Sequence, residues 1–124
     1  MTGPEKPKDI RQRTFQFALA TIHLCQRTEH DSGVWAVLGK QLLRSGTSIG
    51  ANVEEAQAGQ SKADFISKYA IALKEARETI YWLRLLKESG FVKDDLVETL
   101  IQEADELSSI IGSIIVSAKR GKSR

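Results

Sequence analysis

Cysteine is almost absent: Cys25 is the one thiol in 124 residues. A single thiol cannot build an intrachain disulfide framework, and it suits a reducing cytoplasm. Cys25 is expected to be a small packed apolar residue. Neither His23 nor His30 stands in a nucleophile motif that would make it catalytic. Proline is nearly as scarce. Pro4 and Pro7 are the two, and none occurs from Lys8 onward. Long helices can therefore run without interruption, as an all-α protein requires. Long apolar runs are missing as well. No stretch reaches the ~18 residues of a membrane span. The opening MTGPEKPKDI has no hydrophobic signal core. A cytoplasmic location with no membrane association is expected.

Motifs for catalysis are missing too. There is no GxxxxGK[ST] phosphate loop, and Gly39-Lys40 lacks the upstream glycine and the following Ser or Thr. There is no HExxH and no Cys/His spacing for zinc. A helical bundle can hold two metals with Glu and Glu-x-x-His motifs. Glu29-His30 has the wrong spacing, and no Glu precedes His23 by three. Glu54, Glu55, Glu75 and Glu78 are candidates to lie close together, and carboxylates so placed are usually solvated or paired with arginine. No enzymatic activity, catalytic residue, metal or cofactor is expected.

What is present is helical periodicity. Hydrophobic residues make up 41% and charged residues 27% of the chain, a balance that favours a soluble globular domain over disorder. The length suits one domain over 1–124. Four apolar-periodic segments cover about 9–29, 34–58, 62–89 and 95–118. Helix 1 has one stripe of Ile10, Phe17 and Leu24 and another of Phe15, Leu19 and Ile22. Helix 2 aligns Trp35, Leu38, Leu42, Ile49, Val53 and Ala56. Helix 3 aligns Phe65, Tyr69, Leu73, Ala76, Ile80 and Leu83, with Ile71, Trp82 and Leu86 off that arc. Helix 4 aligns Leu96, Leu100, Leu107, Ile111, Ile114 and Ala118. Ser61 with Asp64 resembles a capping box, Gly90 suits a helix C-terminus, and Asp94 or Asp95 suits an N-cap. The fold class is all-α, an antiparallel up-down-up-down four-helix bundle. The surplus apolar residues of helices 1 and 3 point to a subunit interface.

One stretch resists a simple helical reading. Residues 44–56 read RSGTSIGANVEEA, and each interior glycine costs a helix about 1 kcal/mol. Yet Ile49 and Val53 keep the core spacing. On a helical wheel Gly46 and Gly50 share one flank, where another backbone can approach closely. Arg44, Ser48, Asn52 and Glu55 form a polar band on the other flank. There Arg44 and Glu55 are expected to satisfy Ser48 and Asn52 in a hydrogen-bond network at a helix or subunit contact.

The pattern Arg44…Ser48-Ile49…Asn52-Val53-Glu54-Glu55-Ala56, with Phe65, Tyr69, Ala72 and Glu75-Ala76-Arg77-Glu78-Thr79 after it, resembles a known family. This is the bacterial four-helix-bundle family of 23S ribosomal RNA intervening-sequence proteins. Ala56 stands where the family often has Gly, so the turn after helix 2 is expected slightly later. The resemblance implies a homo-oligomer, commonly a ring-shaped homopentamer, and no enzymatic activity. The related accessory proteins of diversity-generating retroelements imply a basic assembly that binds nucleic acid. Arg44, Gly46, Ser48, Gly50, Asn52, Glu55 and Trp82 would then serve as motif and assembly contacts.

Two functional expectations follow. Net charge is +2, and the tail AKRGKSR is wholly basic. A nucleic-acid-associated homo-oligomer, RNA-binding as the resemblance implies, would use phosphate contacts from Arg11, Arg13, Lys119, Arg120, Lys122 and Arg124, gathered at one end of the bundle. The alternative is an oligomeric protein-binding scaffold or adaptor with no nucleic-acid role, carried by the apolar stripes and Trp82.

Overall fold

Buried positions recur three and four apart in every helix. They are Thr14, Phe17, Thr21 and Leu24 in α1 (Ile10–Arg27). In α2 (Gly33–Gln57) they include Trp35, Gly39, Leu42, Gly46, Ile49, Val53 and Ala56. In α3 (Lys62–Ser89) they are Tyr69, Ala72, Ala76, Thr79, Leu83 and Leu86. In α4 (Asp95–Lys119) they are Val97, Leu100, Ala104, Leu107 and Ile111. A repeat averaging 3.5 residues keeps one seam facing inward along a whole helix, which is the pattern of supercoiled bundles. The computed structural model describes residues 9–27, 33–90 and 92–121. Among them there is no strand.

Cross-helix contacts fix the arrangement. Arg11 meets Glu54 while Cys25 meets Gly39, so α1 and α2 run in opposite directions. Gln57 meets Tyr69 while Ser45 meets Thr79, so α2 and α3 do too. Arg13 meets Glu103 and Arg27 meets Asp94, which lays α4 antiparallel to α1. Each helix packs on its two neighbours, and the diagonal pairs make no close backbone approach. This is a square antiparallel four-helix bundle.

The joints follow local chemistry. Ser61 caps α3 by accepting from the Asp64 N–H at 3.0 Å. Gly90 ends α3 with φ 72, a left-handed conformation that glycine adopts without a β-carbon penalty. Asp94, rather than Asp95, caps α4 by accepting from the Leu96 N–H at 2.9 Å. After α2 the chain turns beyond Gln57, through Ala58 and Gly59.

Two stripes differ from the sequence reading. The core stripe of α3 uses Ala72 and Thr79, whereas Leu73 and Ile80 are half-buried on its margin. Leu86 is fully buried and belongs to the core instead of the surplus. In α1, the buried Thr14 and Thr21 alternate with Phe17 and Leu24. Each threonine hydroxyl donates to a carbonyl one turn back, Thr14 to Ile10 and Thr21 to Phe17, both at 2.9 Å. That internal bond lets a polar residue occupy a core position without an orphaned donor.

Candidate functional site

The stretch 44–56 lies in the middle of α2 and touches both neighbours. A β-carbon on Gly46 would lie 2.9 Å from Thr21 Cγ2, and one on Gly50 would lie 3.2 Å from the Thr14 carbonyl oxygen. The glycines are thus the price of a close α1–α2 approach, set against the helix propensity they lose. This contact lies within the chain, so Gly46 and Gly50 are buried and offer no surface to another subunit.

The other flank holds α3. Arg44 donates to Glu75 at 3.2 Å and to Glu78. Glu78 also accepts from the Trp82 indole N–H at 3.0 Å. The indole bond first, then Arg44, holds the Glu78 carboxyl below the usual range. Trp82 in turn meets Tyr81 edge-on, with ring centroids 5.2 Å apart. Beneath this surface Ser45 Oγ and Thr79 Oγ1 are hydrogen-bonded at 2.9 Å, both fully buried.

The expected polar band does not form one network. Ser48 donates to the Arg44 carbonyl at 2.7 Å, and Asn52 donates to the Ser48 carbonyl at 2.9 Å. Both bonds stay within α2, because short polar side chains reach their own preceding turn more readily than a neighbour. Glu55 pairs with Lys68 at 2.8 Å. Arg44 therefore serves Glu75 and Glu78, and Glu55 serves Lys68, while Ser48 and Asn52 look after themselves.

The expected cluster of terminal cations is not gathered. Arg11 pairs with Glu54 at 3.0 Å. Arg13 pairs with Glu103 at 2.8 Å and with Glu106. Lys119 and Arg120 are exposed at the end of α4. Arg13 stands level with Glu106, so Lys119 lies roughly 20 Å further along α4 at 1.5 Å per residue. Lys122 and Arg124 lie outside the described residues.

That overhang of α4 opens a groove. Where α2 ends and α3 begins, a cavity of about 1000 Å³ is lined by Phe65, Tyr69, Ile110, Ile114 and Ala118. The Phe65 and Tyr69 rings stand 4.7 Å apart. The Tyr69 hydroxyl accepts from Gln57 at 2.9 Å, and burial pushes its phenol up.

Cys25 is half-buried, and burial raises its thiol above the ordinary value, which makes it a poor nucleophile. Glu54, Glu55, Glu75 and Glu78 are all paired with cations. No group of described residues has the donors to hold a metal ion. No described helix is long and apolar enough to cross a membrane.

A family model, 23S rRNA-intervening sequence protein, matches residues 6–113. The chain belongs to that family. The intervening-sequence chain is also similar to a crystal structure from Bacteroides thetaiotaomicron VPI-5482, described as a protein of unknown function from the S23 ribosomal protein family. The two share 39% identity and a TM-score of 0.76, over 86% of this chain and 98% of that one. No curated protein matches the chain. The matched span contains the whole α2–α3 flank, from Arg44 to Trp82, and all the groove-lining residues up to Ser113.

Proposed function

We propose that the protein is a non-enzymatic bundle that assembles with copies of itself and associates with RNA through basic surface. One observation carries the assembly: large apolar side chains remain outside the core. Phe15, Val34 and Val37 are each more than half exposed, and Leu43, Ile71, Leu85 and Val116 are also exposed. These side chains are spread over all four helices, more apolar surface than the bundle core uses. They are already about half covered, so burying the remainder against a second copy contributes roughly 1 kcal/mol each before association costs. The family resemblance points to five copies in a ring. The RNA role draws support from the family's tie to ribosomal RNA intervening sequences and from the net positive charge.

Light scattering tests the assembly. A multiple of 13.8 kDa is expected, and a particle of 13.8 kDa at ~50 µM protein would overturn it. Filter binding with structured RNA at ~50 mM salt tests the RNA role, with steep weakening as salt rises. The groove between α3 and α4 favours a second reading, in which the assembly is a protein-binding adaptor. A bundle that binds no RNA yet captures a partner through Phe65 would support that reading.

A further inference from the structure

We infer that the outer face of α3 is a single-stranded RNA platform built from Lys74, Arg77, Tyr81 and Arg84. The proposal rests on the RNA-binding reading above and moves the contact away from the chain ends.

Spacings of three, four and three place these residues within an arc of about 80° on a helix turning 100° per residue. All four are exposed. Among the described residues, most arginines near an acid are already engaged: Arg11, Arg13, Arg27 and Arg44 each hold a carboxylate. Lys74, Arg77 and Arg84 form no ion pair with any described residue. Lys74 lies close enough to lower the Glu78 carboxyl, but Glu78 is taken by Arg44 and Trp82. Glu88 is the acid on this arc, one turn past Arg84, and it closes the basic run. Three free cations therefore span about 15 Å of helix, enough for two to four phosphates of an extended strand.

Tyr81 decides the kind of ligand. It is 57% exposed in the middle of the cations, and solvent is a poor place for a large ring without a partner. The Tyr81 ring meets the Trp82 ring at 69° between their planes, and Glu78, itself paired with Arg44, holds Trp82. The ring is thus positioned from behind by the same stretch that marks the family. A fixed aromatic face among cations suits an unpaired base, because stacking needs an exposed π-face and the phosphates then fall beside it. A duplex keeps its bases stacked on each other and has no use for the ring. Arg44 and Glu78 are positioning residues here.

The test is fluorescence anisotropy of the full chain with a labelled, unstructured RNA of about twelve nucleotides at ~50 mM salt. Circular dichroism on each variant confirms the fold. Replacing Lys74, Arg77 and Arg84 by Gln together should weaken binding at least about tenfold and flatten the log-affinity against log-salt slope by about 2, from ~0.7 per phosphate contact. Tyr81→Ala should weaken binding about tenfold with the slope unchanged. Lys119→Gln with Arg120→Gln should leave both quantities as in the wild type. Wild-type binding that survives the triple replacement overturns this site while leaving the RNA reading intact. No wild-type binding overturns both. A triple variant that fails beside a Tyr81→Ala variant that binds normally overturns the single-strand assignment.

Discussion

The two flanks of α2 are held by opposite means. Toward α1, the helix offers Gly46 and Gly50, and Thr21 and the Thr14 carbonyl fill the space their β-carbons would take. Toward α3, it offers Arg44 to Glu75 and Glu78, and Ser45 to Thr79. One seam works by removing atoms, and the other works by pairing polar ones. A steric seam tolerates no added volume but ignores salt and pH. A polar seam tolerates shape changes but responds to both. That difference explains how thirteen residues can contain two helix-weakening glycines and still form one continuous helix.

The steric seam should break hardest. Gly46→Val puts three carbons into space where Thr21 already stands at 2.9 Å from the first. A cost of about 3 kcal/mol is expected, read as a lower urea midpoint. A variant that melts with the wild type would remove the close approach from the account. The polar seam should yield less to a single change. Thr79→Val strips the partner from Ser45, whose remaining bond to the Leu42 carbonyl is long, at 3.4 Å. Leaving that buried hydroxyl poorly paired costs about 1–2 kcal/mol in the same melt. An unchanged midpoint would mean that Ser45 is satisfied without Thr79.

The sequence showed the first seam better than the second. A glycine pair four apart is visible in one helix alone, because missing atoms need no partner to be recognised. Its partners, Thr14 and Thr21, escaped notice, since threonine in a core looks wrong until its back-bond is seen. The stripe of α3 failed for the same reason. Ala72 and Thr79 carry little hydrophobic signal, so the apolar arc leaned toward Leu73 and Ile80, one step off the seam. Four helices and their order were legible from periodicity and from Gly90, Ser61 and Asp94 at the joints. Which cation meets which acid was not. Such pairing depends on the register between helices, which no single helix encodes.

Salt should separate the seams. Arg44→Gln leaves Glu75 and Glu78 without their shared cation. Arg44 is 47% exposed, so screening limits the loss to about 1 kcal/mol or less at ~0.05 M salt. The deficit should shrink by ~0.5 M, where the screening length falls below about 5 Å. The Gly46→Val deficit should not move between the same two conditions. A salt-independent Arg44→Gln deficit would show that its methylene stem, and not its charge, holds α3.

Acid should expose the smallest contribution, and only on the polar side. The Trp82 N–H, with Arg44 behind it, lowers the Glu78 carboxyl from its ordinary 4.5. A carboxyl lowered by folding stabilises the folded state above the unfolded value, and that contribution fades as pH falls through the lowered one. Trp82→Phe keeps a ring and removes the N–H, so its deficit has two parts. The lost packing does not depend on pH. The lost hydrogen bond matters only while Glu78 is ionised. The gap between wild type and Trp82→Phe should therefore be constant above about pH 5.5 and narrow below about pH 4.5, by on the order of 0.5 kcal/mol. Asp94 and Glu98 are also lowered, by Arg27 and Lys87 first. They titrate equally in both proteins and leave the difference alone. A gap that stays constant to pH 3 would mean that the indole packs against α3 without its N–H contributing, and the chain from Arg44 to Tyr81 would lose its middle link.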